Sequence, residues 1–299
     1  MGSAQDFPIK PIRIVTSPAG GGPDLVARLV GQGISNSWGQ QVIVDNRPAG
    51  IIPGEIVFKA SSDGYTLLAV GSTLWLAQFL QDDVPFDVVR DFSPITLAVT
   101  SPNILVVHPS LLVNSVQELI ALAKRKPGEL NYAAAGLGSP SHLAMELFKA
   151  MAGVNIVAIS YRGSGPALSD LMGGHVQLGF FPAAAGAEYA KSGRLRALVV
   201  TSAKPSALFP GVPTVAAVVP GYASEVVIGI FAPAKTPEPI VNRLNQEIVR
   251  VLNGPDVKEK LLSAGTETVG SSPGEFATAL KSEMDRLGKV IKDAGIRAY

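Results

Sequence analysis

Residues 11–38 read PIRIVTSPAGGGPDLVARLVGQGISNSW, and this stretch decides the class of fold. Its first six residues are the apolar run of a short strand, and residues 17–22 form a glycine-rich turn. Residues 24–38 then place apolar side chains at helical spacing on one face. Pro23 suits the start of a helix, and the charge of Asp24 complements the positive end of the helix dipole. The stretch therefore predicts a β-turn-α unit.

The same design recurs later in the chain. Residues 130–134 read as a strand, residues 136–138 as a turn, and Ser139-Pro140-Ser141-His142 as the opening of a helix that runs to about residue 151. Other strands are predicted at 42–44, 65–70, 104–107, 155–159, 176–181, 195–201 and 225–231, with helices between most of them. Alternating strands and helices favour largely parallel sheets, so the fold class is α/β with Rossmann-like units.

The chain length predicts two lobes. At 299 residues the chain exceeds the size at which a single core usually keeps growing. We assign residues 1–103 and 228–299 to a discontinuous lobe 1 and residues 104–227 to lobe 2. The hinge strands are then expected near 101–106 and 225–230, with a ligand cleft between the lobes.

Composition narrows the classes of function. The net charge is +1 and only 16% of residues are charged, which argues against a nucleic acid as partner. The apolar runs are too short to span a bilayer. The chain contains no cysteine, which excludes disulfides, thiolate metal sites and a cysteine nucleophile.

The sequence offers little support for an enzyme. His108, His142 and His175 are the only histidines, and they do not share a metal-ligand spacing. No nucleotide-binding glycine pattern is present in the two turns. We therefore expect a binding protein that needs neither a metal nor a cofactor. A sensor subunit for a membrane kinase and an enzyme of unknown reaction are the alternatives.

Many short stretches occur together in a recognisable order. They are PIR at 11–13, PAGG at 18–21, DNRP at 45–48, DGYTLL at 63–68, DFSPI at 91–95, KPG at 126–128, GSPSHL at 138–143, YRGS at 161–164, LRAL at 195–198 and VPT at 212–214. With this order and spacing the chain resembles the Bug family, the substrate-binding proteins of tripartite tricarboxylate transporters. The resemblance covers nearly the whole sequence.

The resemblance implies a periplasmic binding protein architecture and a small carboxylate ligand, held mostly by backbone N–H groups and water. It also implies the membrane permease subunits of such a transporter as partners, while the binding protein itself is expected to be a monomer. Export to the periplasm is implied as well. The opening Met-Gly-Ser resembles a cloning scar, and Ala4-Gln5-Asp6 suits the start of a mature chain whose signal peptide is not present.

The two glycine-rich turns are the main candidates for ligand binding. Each places backbone N–H groups at the start of a helix, where the dipole favours an anion. The candidates in the first turn are Ala19, Gly20, Gly21 and Asp24, and those in the second are Gly138, Ser139, Ser141 and His142. The alternative is that both are tight turns that need glycine for conformation alone, and that the His142 ring caps or packs.

Further candidates lie where other strands end. Ser72, Thr73 and Trp75 follow the third strand, and Trp75 either faces the cleft or fills a core. Arg162 could pair with a ligand carboxylate or remain a solvated loop residue.

Two stretches depart from the family pattern. Phe181 stands where many members have an aspartate that could serve a ligand ammonium, so we expect a carboxylate without an ammonium group. Residues 48–54 form a shorter loop than is usual and lack its asparagine.

Overall fold

The computed structural model describes residues 7–48 and 50–297, which form two compact units. The first unit contains the described chain up to Thr100, together with Val227–Ser263 and Glu267–Arg286. The second contains Ser101–Val226, Ala264–Thr266 and the described residues from Leu287 onward. The proposed mature start at Ala4-Gln5-Asp6 and Ala49 of the short loop lie outside the described residues.

Strands and helices alternate along much of the described chain. The strands are β1 Ile12–Thr16, β2 Val42–Asn46, β3 Thr66–Gly71, β4 Phe92–Val107, β5 Asn131–Ala134, β6 Val157–Ser160, β7 Leu178–Pro182, β8 Arg196–Val200, β9 Glu225–Pro233 and β10 Glu267–Thr268. The helices are α1 Gly22–Trp38, α2 Ile52–Phe58, α3 Thr73–Leu80, α4 Val88–Asp91, α5 Val116–Arg125, α6 Pro140–Ala152, α7 Ser164–Met172, α8 Ala183–Lys191, α9 Glu238–Leu252, α10 Pro255–Ser263 and α11 Pro273–Asp293.

The sheet of the first unit has the strand order β2-β1-β3-β9. β1 is parallel to β2 and β3, whereas β9 is antiparallel to β3. Helix α1 packs Val26, Val30 and Ile34 into the core, and each is at most 1% exposed. Burying side chains of this size contributes about 1.5–3 kcal/mol each.

The sheet of the second unit is mixed. β5 is parallel to β6 and β7, while β4 runs antiparallel to β7 over residues 103–107 and to β8 over residues 104–107. The predicted parallel pairing therefore holds for the β-turn-α units. It fails for β4 and β9, which run antiparallel to their neighbours β7, β8 and β3.

The last described residues belong to a different unit from the one that the sequence predicts. Residues from Leu287 onward belong to the second unit, although residues 228–299 were expected in lobe 1. Ile296 is only 8% exposed, so the last described residues bury apolar surface there.

Candidate functional site: two glycine turns at helix starts

Both glycine-rich turns join a parallel strand to a helix. The first connects β1 to α1 and the second connects β5 to α6. Ligands of open α/β sheets bind beyond the carboxyl ends of such strands. The two turns therefore occupy equivalent places in their own units.

The first turn contains its own anion. Gly20 adopts φ +83°, which favours glycine, and donates its N–H to Asp24 Oδ2 at 2.9 Å. The Asp24 carboxylate also accepts a hydrogen bond from Asn46 Nδ2 at 2.8 Å and pairs with Arg28 Nε at 2.9 Å. Burial alone would raise the pKa of Asp24, but the hydrogen bonds from Arg28, Asn46 and Gly20 outweigh it and lower the pKa.

In the second turn, the imidazole ring of His142 accepts the glycine N–H, as the carboxylate of Asp24 does in the first. Gly138, at φ +73°, donates its N–H to Nδ1 of His142 at 3.0 Å. Ser139 caps α6, since its Oγ accepts the His142 N–H at 3.3 Å, and it lies 3.3 Å from Ser141 Oγ. His142 is 4% exposed and stacks on Tyr132, so burial lowers its pKa.

The expectation that the amides of Gly20 and Gly138 are free for a ligand is therefore wrong, because a side chain of the following helix accepts each of them. Gly21 donates weakly to Pro18 O at 3.4 Å, and Ala19 is exposed. Within residues 7–48 and 50–297, the amides of Gly22 and Ser141 have no hydrogen-bond acceptor. These amides, at the first turns of α1 and α6, are among the donors left for an anion.

Residues 72–75 divide between the surface and the core. Ser72 is 3% exposed just before α3, and Thr73 is exposed. Trp75 is 1% exposed and makes edge contacts with Phe231 and Phe276. Its Nε1 donates to Glu283 Oε2 at 3.0 Å. The expectation that this ring is open to a ligand is wrong, because the ring completes an aromatic cluster in the first unit.

Arg162 and Phe181 also divide between the surface and the core. Arg162 is exposed before α7 and has no ion-pair or hydrogen-bond partner in the described part of the chain. Phe181 is fully buried on β7 and packs in the core of the second unit beside Ile104. It is therefore a core residue, and the expectation that its ring faces a ligand is wrong.

Sequence reasoning missed a pair of buried polar residues in the second unit. Asn103 is 1% exposed and Ser202 is 7% exposed. Both amide atoms of Asn103 and the Ser202 hydroxyl oxygen are buried without a hydrogen-bond partner among the described residues. Such groups are rare because leaving them unbonded is costly. An asparagine just before the apolar run 104–107 was the available signal.

One hydrolase-like pattern is also present but has a structural role. Residues 270–274 read GSSPG, which matches Gly-x-Ser-x-Gly spacing. Ser272 begins α11 in a capping box, in which its N–H and Oγ both bond Glu275 Oε2 at 2.8 Å. In the described ranges, no three His, Asp or Glu side chains could hold a metal ion together, and no helix is long and apolar enough to cross a membrane.

Comparisons with known proteins identify the family of this chain. The model of the TctC family, described as the tripartite tricarboxylate transporter family receptor, matches residues 26–296. The Bordetella pertussis protein BugT is 36% identical, with 99% of this chain and 92% of BugT covered.

Two solved structures are also similar to this chain over nearly its whole length. The R. palustris protein Rpa4515 with adipate is 36% identical, with a TM-score of 0.76 over 98% of this chain and 99% of that chain. MatC from Rhodopseudomonas palustris, with bound malate, is 28% identical, with a TM-score of 0.72 over 95% and 100% of the two chains. The fold class, α/β with periplasmic binding protein architecture, and the resemblance to Bug proteins are both confirmed. The chain belongs to the TctC family of solute-binding proteins, whose members bind ligands and are not enzymes.

Proposed function

We propose that this protein captures a small carboxylate without an ammonium group in the periplasm and delivers it to a tripartite tricarboxylate-type permease. The observation that carries the ligand class is the similarity to Rpa4515, whose structure contains adipate, over 98% of the chain. MatC, with bound malate, supports the same class. Adipate and malate are both carboxylates that lack an ammonium group.

The two helix starts supply suitable donors for such a ligand. The Gly22 and Ser141 amides each lie at the positive end of a helix of at least 13 residues. Amide donors to a carboxylate form charge-assisted hydrogen bonds, which are stronger than neutral ones. Arg162, exposed and unpaired within the described chain, is the candidate for a further contact.

We further propose that the two compact units are the lobes of the binding protein and that they close about hinges near 101–106 and 225–230. Ligand-induced closure is a common device in binding proteins of this architecture. Small-angle scattering should then give a smaller radius of gyration at saturating ligand.

Calorimetric titration with adipate, malate and the pair succinate and aspartate tests the ligand class. We expect binding of at least one dicarboxylate and weaker binding of aspartate than of succinate, since an unpaired ammonium is costly to desolvate. Tighter binding of aspartate, or binding of none of these acids, would contradict the proposal.

A matched pair of substitutions at Gly22 tests the role of the amide. Gly22→Pro removes the N–H at the first helical position, where proline is well accepted, and Gly21 before it is already extended. Gly22→Ala retains the N–H and is the control. We expect Gly22→Pro to weaken dicarboxylate binding about tenfold relative to Gly22→Ala. Equal affinities would remove Gly22 from the site.

Delivery to the permease is tested in cells. Deleting the gene for this protein and deleting the permease genes should each abolish uptake of the bound acid. Uptake that survives loss of the permease genes would contradict the delivery role.

A further inference from the structure

Two buried polar side chains of the second unit have no hydrogen-bond partner among the described residues. They are Asn103, which is 1% exposed, and Ser202, which is 7% exposed. The unbonded atoms are Nδ2 and Oδ1 of Asn103 and Oγ of Ser202. Buried polar groups are normally bonded, because an unbonded group loses its bonds to water without replacement. These atoms therefore indicate bonds to a molecule that is not part of the chain.

The backbone brings the two residues close together. Asn103 precedes Ile104, which pairs with Val200 of β8. The Asn103 N–H donates to Thr201 Oγ1 at 2.7 Å, and the Asn103 carbonyl oxygen accepts the Thr201 N–H at 2.9 Å. Ser202 follows Thr201 directly in the chain. A molecule that bridges the carboxamide and the hydroxyl therefore has to span only neighbouring backbone positions.

The unbonded atoms require both a donor and an acceptor. Nδ2 of Asn103 donates hydrogen bonds, Oδ1 accepts them, and the Ser202 hydroxyl does both. A carboxylate only accepts hydrogen bonds and an ammonium only donates them, and neither side chain of the pair offers a counter-charge to a buried ion. Water is neutral, donates as well as accepts, and is the usual partner of such buried groups.

We propose that buried water binds here, with one molecule that bridges Asn103 and Ser202 and a second molecule on the remaining amide atom of Asn103. The water site does not depend on the proposed function. Its position relative to the hinges does rest on that function. Asn103 lies in the first proposed hinge, and Thr201 O accepts the N–H of Ser224, which adjoins the second, at 3.0 Å. The bridging water is then a fixed part of the second unit at the base of both hinges.

Oxygen-17 magnetic relaxation dispersion of the full chain tests this site, because it counts the water molecules that are held inside a protein. We expect Asn103→Leu to hold two fewer such molecules than the unaltered protein, and Ser202→Ala to hold one fewer. Equal counts in the unaltered protein and both variants would mean that the two side chains bond each other directly. That result would overturn the proposal.

The double variant tests the bridge. Asn103→Leu with Ser202→Ala should lose no more water than Asn103→Leu alone, because the water on the hydroxyl is one of the two on the carboxamide. A larger loss in the double variant would refute the bridge. Thr16→Val is the matched control, since the Thr16 hydroxyl is also fully buried but donates to Ala69 O at 2.7 Å. Its count should equal that of the unaltered protein, and a drop there would mean that any buried hydroxyl gives the effect.

A high-resolution crystal structure of the unaltered protein provides a second readout, which does not require Asn103→Leu to fold. We expect an ordered water within hydrogen-bond distance of Ser202 Oγ and of one amide atom of Asn103. A direct bond between the two side chains, or density for a carboxylate at this place, would contradict the proposal. Calorimetry with dicarboxylates reports on the proposed function separately, so either idea can fail alone.

Discussion

The two glycine turns share a backbone design but differ in the side chain that completes it. In each, a glycine with positive φ donates its N–H to the residue four positions later, at the third position of the following helix. That residue is Asp24 in the first turn and His142 in the second. The first turn is therefore closed by a carboxylate that is charged at neutral pH, and the second by a buried ring that is neutral there.

The difference extends to the surroundings of each turn. Asp24 is held by Arg28 and Asn46, and its helix has no side-chain N-cap. His142 has a serine cap in front of it and a cavity beside it. A carboxylate at a helix start is stabilised by the dipole, whereas an imidazole there leaves the dipole free for another anion. The helix that follows the second turn is thus better suited to bind another anion at its start than the helix that follows the first.

The largest expected effect is on the first turn. Asp24→Ala leaves the Gly20 amide, the Asn46 amide and the Arg28 guanidinium without their shared acceptor. We expect the free energy of unfolding to fall by about 3 kcal/mol in urea titrations at neutral pH. Glu129→Ala breaks an exposed ion pair and should cost less than about 1 kcal/mol. Similar losses in the two variants would show that the first turn does not depend on its carboxylate.

The two turns should contribute to the pH dependence of stability in different pH ranges. Burial lowers the pKa of His142 below its unfolded value near 6.5, so between the two values the unfolded chain binds more protons. Stability should therefore fall on acidification below about pH 6.5, by up to about 1.4 kcal/mol per pH unit from this group. Asp24 also has a lowered pKa, so its contribution is present above about pH 3.9 and is lost only below that value.

Urea titrations across this range provide the measurement, and His142→Asn is the control. The variant should lose the mildly acidic slope and retain the strongly acidic one. A slope unchanged by His142→Asn would assign the pH dependence to other groups.

The smallest effects concern the caps. Ser139→Ala should cost about 1 kcal/mol, because the His142 amide loses its acceptor. Gly21→Ser should add a few tenths of a kcal/mol by giving α1 the cap that it lacks. Gly21 has φ −83°, and a Cβ there would meet nothing closer than 3.4 Å. Thermal unfolding of both variants checks the comparison, and a neutral Ser139→Ala would remove the cap from the account of the second turn.

Elements with strong local signals could be predicted from the sequence. Helix α6 was expected from residue 140 to about 151 and runs over Pro140–Ala152, because a serine cap, a proline and apolar spacing act together. Helix α3, Thr73–Leu80, was missed because its sequence TLWLAQFL is apolar on nearly all sides and has no periodicity. Strand β4 was expected only at 104–107, although it begins at Phe92.

The direction of large apolar side chains could not be predicted. The sequence left open whether Trp75 faces a ligand cleft or fills a core, and its ring contacts Phe231, Phe276 and Glu283. Trp75 and Glu283 are 208 residues apart in the chain, so no local pattern indicates the contact. Phe181 was also read as a ligand position, whereas the packing of β7 buries it fully.

The sequence alone determined the β-turn-α units, the glycines that adopt positive φ in the two turns, and the family. These features depend on interactions within a few residues or on the order of short stretches along the chain. The tertiary structure decided which donors remain free, where the rings of Trp75 and Phe181 lie, and that α6, β6 and the last described residues line one pocket. Those outcomes depend on the packing of segments that are distant in the chain, because burial and unsatisfied hydrogen bonds are defined only when such segments meet.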